Sequence, residues 1–477
     1  MNILWDSQAL VAATGGRPQG NLPEGVTGIS IDTRTLKRGE AFFAIKGENF
    51  DGHDFGTAAM AAGAGLLVVA EEKLPALGRL AVPKIVVPDV LQALEKVGQA
   101  ARSRSRAKII AVTGSVGKTT TKAMLSHILS RAGTVHAADK SFNNHWGVPL
   151  SLARMPEDCD YAVFEIGMNH PGEITSLVGM VLPHIAVVTV VAAAHLGFFK
   201  SLDEIARAKG EIFVGVLKGG HALVNRDDAR WKLLSKMAAD AGIEHIWGFG
   251  ENARAQFKLM KYEPDAQGAQ MEVKVAGQEF SFRLGATGRH MAQNALAALG
   301  AAHLAGVDLA RIVPAFGDFF AEEGRGRRHV LRRGQGTFTL IDESYNANPA
   351  SMQAALRVLA TAPVGDGGRR IAVLGDMLEL GSHSQKLHAG LAQVVSDARA
   401  DMLLLAGAEM KALADNPPKD IHLEYRANAD ELQPLLLNAV KAGDTVMIKS
   451  SKSIGFSKLV DALTKHFPAA VDKPARG

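Results

Sequence analysis

A chain of 477 residues is too long for one ordinary hydrophobic core, so about two to four domains are expected. With 47% hydrophobic and 21% charged residues it has the balance of a globular protein, and its net charge of +4, a small difference between 53 basic and 49 acidic residues, argues for no nucleic-acid partner. The lone cysteine, Cys159, excludes an intramolecular disulfide, the opening residues lack the pattern of a signal peptide, and the apolar run 185–194 is too short to span a bilayer. A soluble, cytoplasmic protein with no membrane insertion is the expectation.

The first part, to about residue 88, reads as a small α/β module. Residues 28–34 and 39–47 read as two short strands joined by a polar turn, Asp51-Gly52-His53 as a further turn, and an alanine-rich helical stretch leads to a strand over 65–70. Composition assigns no role to Asp32 and Arg34, because an Asp-Thr-Arg turn is commonly a hydrogen-bonded corner. A helix over 90–103 leads onward. The basic cluster Arg102, Arg104, Arg106 and Lys108 reads as a solvated interdomain face rather than a binding site.

The stretch 109–122 carries the strongest signal. A short apolar run, 109–112, enters a turn with Gly114 and Gly117 and leaves as a helix with Leu125, Ile128 and Leu129 at helical spacing. Strand, glycine turn and helix form the context of a phosphate loop, in which backbone N–H groups and a helix N-terminus surround an anion. Lys118 would reach the β- and γ-phosphates and the Thr119 hydroxyl would ligate Mg²⁺. The general pattern wants glycine where this chain has Val112.

A polar loop over 141–149 holds Asn143, Asn144 and His145. The strand over 161–166 carries Glu165 near its carboxyl end, where a metal ligand belongs in a nucleotide-binding sheet. The run 185–191 leads to His195, for which a metal ligand and a structural histidine compete equally. A helix opened by Ser201 and Asp203 carries Lys209 and Glu211, β-like stretches alternate over 243–283, and an alanine-rich helix follows Gly288. A glycine- and arginine-rich segment at 322–328 marks a hinge. Beyond it, strands over 337–341, 371–374, 402–405 and 445–448 alternate with helices, which argues for a mostly parallel sheet. The polar segments 342–349 and 375–381 directly follow β runs, where open α/β sheets bind ligands. An ATP-using enzyme that closes modules over a phosphate site fits these pieces, with Lys118, Mg²⁺ and an arginine such as Arg325 neutralising charge.

Together these segments resemble the Mur ligases, the ATP-dependent amide-forming enzymes of peptidoglycan precursor synthesis. The resemblance rests on 113–120, on 28–46 with Asp51-Gly52-His53, on Asn143-Asn144 and 147–149, on 165–170, on 194–196, and above all on 342–349 and 374–381. These last two point to the branch that adds D-alanyl-D-alanine to a UDP-N-acetylmuramoyl-tripeptide. A relative adding a single amino acid, or a folylpolyglutamate-type ligase, is the alternative.

The resemblance implies an α/β fold of three domains: a UDP-muramoyl-binding domain over 1–88, a central ATP-binding domain over 89–324, and a Rossmann-like domain over 325–477 that binds the incoming dipeptide. It implies ATP held by Thr113, Gly114, Ser115, Val116, Gly117, Lys118, Thr119 and Thr120, with His290 and Asn294 at the adenine, Asp342 at the ribose and Arg325 at the γ-phosphate. Mg²⁺ would lie near Thr119, Glu165 and His195. Ser30, Asp32, Thr33, Arg34, Lys46, Asn143, Asn144, Tyr345, Asn346 and Asn348 would hold substrate. Lys118, His195, Lys209 and Arg325 would serve catalysis, with Lys209 carbamylated in related ligases, and the chain would work as a monomer. Three positions depart from the family pattern: Met291 for asparagine, Glu343 for aspartate and Lys452 for arginine.

Overall fold

The computed structural model describes residues 2–77, 80–138, 140–194, 196–265 and 268–470. Three large sheets follow one another along the chain. The first has five strands in the order Arg17–Gln19, Lys84–Val87, Leu66–Ala70, Ala41–Phe43 and Ile29–Ser30, all parallel except the first. The two strands expected around residues 29 and 42 pair in parallel, so the polar turn between them is a crossover and not a hairpin. Asp51-Gly52-His53 is a buried staple. The His53 Nδ1 lies 2.6 Å from Asp51, and Nε2 accepts the Ala70 N–H at 2.9 Å, so both ring nitrogens are engaged within the fold.

The helix Val90–Arg104 begins at Asp89, whose carboxylate accepts the Gln92 N–H at 2.8 Å. Its apolar stripe (Val90, Leu94, Val97, Ala101) joins the core of the first sheet, together with Leu150 and Ala153 of the helix Gly147–Ala153. The helices approach closely at Gly98, where a Cβ would come within 3.1 Å of the Pro149 carbonyl oxygen. Arg102 and Arg104 correct the solvated-face expectation. Arg102 donates to the Val181 and Leu182 carbonyls at 2.8 Å each, and the Arg104 guanidinium lies 3.6 Å over the Trp5 ring. Trp5 in turn donates to the Ala153 carbonyl at 2.8 Å, and Arg154 donates to that of Ile29 at 2.6 Å. These arginines clamp the first sheet to the second.

The second sheet has nine strands, in the order Val135–Ala137, Tyr161–Glu165, Lys108–Thr113, Ile185–Val188, His221–Asn225, His245–Gly250, Phe257–Asp265, Gly268–Val275 and Gln278–Leu284. Pairing is parallel as far as Phe257 and antiparallel through the last two connections. Alternation explains the unbroken apolar run at 109–112: Ile110 and Val112 enter one core, Ile109 and Ala111 the core on the opposite face. The helices Lys118–Leu129 and Arg289–Leu304 cover the first face. The third sheet runs Arg327–Arg333, Gly336–Glu343, Thr445–Lys449, Arg370–Gly375, Met402–Ala406 and His422–Arg426, parallel after an initial hairpin. Among the described residues no helix is long and apolar enough to cross a membrane.

His184 Nδ1 accepts the Ile109 N–H at 3.0 Å at the foot of the second sheet. Burial, with Lys108 and Arg102 adding repulsion, pushes the imidazole down to about 4 from an ordinary 6.5. The unfolded chain therefore takes up this proton first as the pH falls. The contribution to stability is complete above 6.5 and is lost as the pH drops from there through about 4. A His184→Gln variant, which no longer titrates, is expected to show a shallower fall of Tm over that window, measured by calorimetry in a pH series.

Candidate active site

The loop between Lys108–Thr113 and the helix Lys118–Leu129 takes its shape from two glycines with φ of 152° (Gly114) and 91° (Gly117). A Cβ at Gly114 would collide with the Thr189 hydroxyl, and one at Gly117 with the Asn294 amide. No side chain caps the helix at Gly117, so its first-turn N–H groups face the loop. Val112 needs no glycine, because it is a fully buried strand residue facing the core. Lys118 folds back to donate to the Gly114 carbonyl at 2.7 Å. Burial lowers its pKa, partly opposed by Glu165, and Arg325 adds repulsion.

Glu165, 4% exposed, stands on the adjacent strand in register with Val112. Its Oε1 accepts the Ser141 hydroxyl and the Asn143 amide at 2.7 Å each, while Oε2 is buried without a hydrogen-bond partner. Burial pushes this carboxyl up, but Lys118, the Ser141 hydrogen bond, Lys122 and Arg325 together hold it below the ordinary value. An ionised carboxylate with one unused oxygen, and the Thr119 hydroxyl 3.5 Å from that of Ser141, form a hard-oxygen donor set that fits Mg²⁺. Among the described residues no group of three or more His, Cys, Asp or Glu forms a metal cage, and His195 lies outside them.

A cavity of about 710 Å³ joins this loop to the carboxyl ends of the third sheet. It brings together Ser115 to Thr120, Asn143, Glu165, His290, Asn294, Arg325, Tyr345, Asn346 and Asn348 of the expected residues. Arg325 lies 4.0 Å over the Tyr345 ring, and the Lys452 ammonium lies 5.2 Å from the same ring. Glu343 and Lys449 form a buried ion pair at 3.3 Å, and Lys449 also donates to the Asn346 carbonyl at 2.9 Å. Burial lowers the pKa of Lys449 and of His290. Two of the departures thus find places: Glu343 pairs with Lys449, and Met291 is buried against Gly326.

Other expected residues stand elsewhere. Asp342 does not line the cavity; its carboxylate accepts the Gly324 N–H at 2.7 Å and both the N–H (3.1 Å) and hydroxyl (2.6 Å) of Ser344, fixing the hinge. Asn144, off the cavity, accepts the Gly147 N–H at 2.9 Å, whereas Asn348 lines the cavity and also caps the helix Pro349–Thr361. Thr113 is a buried strand residue whose hydroxyl has no partner. Lys209 is 1% exposed and off the cavity; burial, with repulsion from Lys118, sets its pKa well below the ordinary value. Ser30, Asp32, Thr33, Arg34 and Lys46 do not line the cavity: Ser30 ends a strand of the first sheet, Asp32 to Arg34 lie in the segment after it, and Lys46 bridges to Asp51. There Arg34 pairs with Asp32 at 2.7 Å and lowers its pKa. Sequence reasoning missed Ser141 and the pairing of Glu343 with Lys449. Ser141 heads the polar loop already singled out, whereas nothing in the one-dimensional pattern joins 343 to 449.

Residues 25–102 match the catalytic domain of the Mur ligase family, residues 112–302 the Mur ligase middle domain, and residues 326–452 the Mur ligase glutamate ligase domain. The chain is 34% identical to the UDP-N-acetylmuramoyl-tripeptide–D-alanyl-D-alanine ligase of Escherichia coli strain K12, over 92% of this chain and 94% of that protein. It is 32% identical to the enzyme of the same name from Rickettsia prowazekii, over 96% and 99%. The crystal structure of MurF from Acinetobacter baumannii superposes with a TM-score of 0.83 at 32% identity, covering 97% of this chain and 99% of that one. MurF from Thermotoga maritima, solved with ADP, shares the fold with a TM-score of 0.75 at 24% identity, covering 92% and 97%.

If Ser141 and Asn143 orient the Glu165 carboxylate, Ser141→Ala should weaken Mg²⁺ affinity by about tenfold, the usual loss when an outer hydrogen-bond partner is removed. Titrating Mg²⁺ into the ADP-bound protein by thermal shift checks it.

Proposed function

The chain belongs to the Mur ligase family, and we propose that it joins D-alanyl-D-alanine to UDP-N-acetylmuramoyl-tripeptide at the expense of ATP, completing the pentapeptide precursor of peptidoglycan. The carrying observation is the single cavity in which the phosphate loop and Glu165 face Arg325, Tyr345 and Lys449 across the hinge. Within it the loop 113–120 holds the phosphates, His290 and Asn294 the adenine, and Arg325 the γ-phosphate. Thr119 and Glu165 would hold Mg²⁺, which supplies charge neutralisation and Lewis acidity when bound. His195 is the remaining ligand the family pattern suggests. The first sheet, through Ser30, Asp32, Thr33, Arg34 and Lys46, receives the UDP-muramoyl end, and Asn143 and Asn144 guide the peptide inward. On this reading the three sheets correspond to domains over 1–88, 89–324 and 325–477, working as a monomer in the cytoplasm.

The terminal carboxylate of the tripeptide attacks the γ-phosphorus, a P–O bond forms, and ADP leaves with the electron pair of the broken bond. Lys118 and Arg325 stabilise the charge that gathers on the phosphoryl oxygens. The free amine of D-alanyl-D-alanine then attacks the acyl carbon of the acyl phosphate, and inorganic phosphate departs as the amide forms. Tyr345, Asn346 and Asn348 line the wall from which the dipeptide arrives, and Lys452 offers a cation to its carboxylate. Closing of the third sheet over the loop would keep water from the acyl phosphate.

Lys209 fits this scheme as a carbamate. Burial, with repulsion from Lys118, disfavours the ammonium form of this amine. The nitrogen of the neutral amine bonds to the carbon of CO₂ as one N–H proton is released to solvent, which leaves an anion attracted to Lys118. Lys209→Ala should then lose turnover by at least about a hundredfold, a general scale for loss of a positioned charge; full activity in steady-state assays would remove Lys209 from the mechanism.

Incubation with ATP, Mg²⁺, UDP-muramoyl-tripeptide and either D-alanyl-D-alanine or single amino acids tests the whole reading by product mass. The pentapeptide should form with the dipeptide alone and be absent with Lys118→Ala. A product one amino acid longer would assign the chain to the alternative ligase branch.

A further inference from the structure

Two consecutive aspartates follow the strand His221–Asn225, and they brace opposite neighbours. Asp227 accepts the backbone N–H groups of Glu251 at 2.7 Å and Asn252 at 2.8 Å, and the Gln293 side-chain amide at 3.1 Å. Asp228 reaches the other way. Its Oδ2 accepts the Val191 N–H at 2.6 Å, and its Oδ1 accepts the Arg230 N–H at 2.8 Å.

Val191 lies in the stretch that leaves the strand Ile185–Val188 and runs behind the phosphate loop. The Ser115 N–H donates to the Val190 carbonyl at 2.7 Å. The Ser115 hydroxyl donates to the Ala192 carbonyl and accepts the Ala192 N–H, each at 3.0 Å. The Thr189 hydroxyl donates to the Val116 carbonyl at 2.6 Å. At the end of the same stretch Ala194 lines the cavity. Sheet pairing on this strand stops at Val188, so no ladder partner holds Val191, whose buried N–H needs an acceptor. A carboxylate is the strongest acceptor available to it.

We infer that Asp228 is a positioning residue for the phosphate loop. It does not line the cavity; it fixes Val191 in the stretch 189–192, which holds Ser115 through Val190 and Ala192 and Val116 through Thr189, and so sets where the loop N–H groups aim. A loop of this kind binds anions only if its N–H groups converge before the ligand arrives. The inference rests on the reading of 113–120 as a nucleotide site, not on the identity of the amino-acid substrate.

ADP binding by calorimetry, in wild type, Asp228→Ala, Ser115→Ala and the double variant, tests it without any ligase assay. Asp228→Ala should weaken ADP by about tenfold, the fold-change for losing one charge-assisted hydrogen bond. Because both substitutions break one chain of contacts, the double variant should be weaker than the worse single variant by no more than about threefold. Wild-type affinity in Asp228→Ala with only a lowered Tm, or multiplicative losses in the double variant, would overturn the inference. Should the alanine protein fail to fold, Asp228→Asn takes its place in the cycle, with the same non-additivity expected at smaller amplitude. Failure of the wild type to bind ADP would instead count against the nucleotide site itself, and so overturn the inference with it.

Discussion

The site is built on positive charge that the fold gathers around two carboxylates, Glu165 and Glu322. Lys118 and Lys209 are buried near one another, Arg325 and Lys122 act on the same region, Glu165 is set among them, and Glu322 lies 3.9 Å from Arg325. The pKa values of both lysines are depressed, chiefly by burial; Glu165 partly opposes this at Lys118, where Arg325 adds repulsion, and Lys118 adds repulsion at Lys209. Such an arrangement is costly in isolation, and a polyanion with its divalent ion is what relieves it. Other features answer to this constraint: the open helix end at Gly117, the free oxygen of Glu165, and the arginine brought over the hinge by Tyr345.

The hinge settles how the two halves share that charge. The Asp342 carboxylate ties Gly324 to Ser344, and the Gly326 N–H donates to the Asp342 carbonyl at 2.7 Å, so the segment carrying Arg325 is anchored on the third sheet. A second contact lies across the cavity mouth, where the Gly197 N–H donates to the Glu379 carbonyl at 2.9 Å. Glu379 holds a φ of 63°, a conformation a non-glycine residue adopts only when its surroundings impose it.

The phosphate loop was legible in the sequence because its physics is local: strand, turn and helix are consecutive, and the glycines mark the turn. Glu165 was legible for a related reason, as an acid at the end of an apolar run. Groups whose partners are remote in sequence were not. Lys449 meets Glu343 only when two strands pair, and Ser141 is placed on Glu165 by the fold of the intervening helix and strand. Asp342, expected at the ribose, instead accepts the Gly324 N–H and both the N–H and hydroxyl of Ser344 inside the protein. The arginines at 102 and 104 misled in the same way, since composition cannot tell a solvated cation from one that clamps carbonyls.

At the centre of this account is a carboxylate activated by phosphoryl transfer in the cavity between the phosphate loop and the third sheet. The most direct measurement follows heavy oxygen placed in the terminal carboxylate of UDP-muramoyl-tripeptide through one turnover with ATP and D-alanyl-D-alanine. The account predicts that one labelled atom appears in the released phosphate, because the acyl phosphate carries that oxygen until the amine displaces it. Phosphate free of label, with the amide still formed, would contradict it.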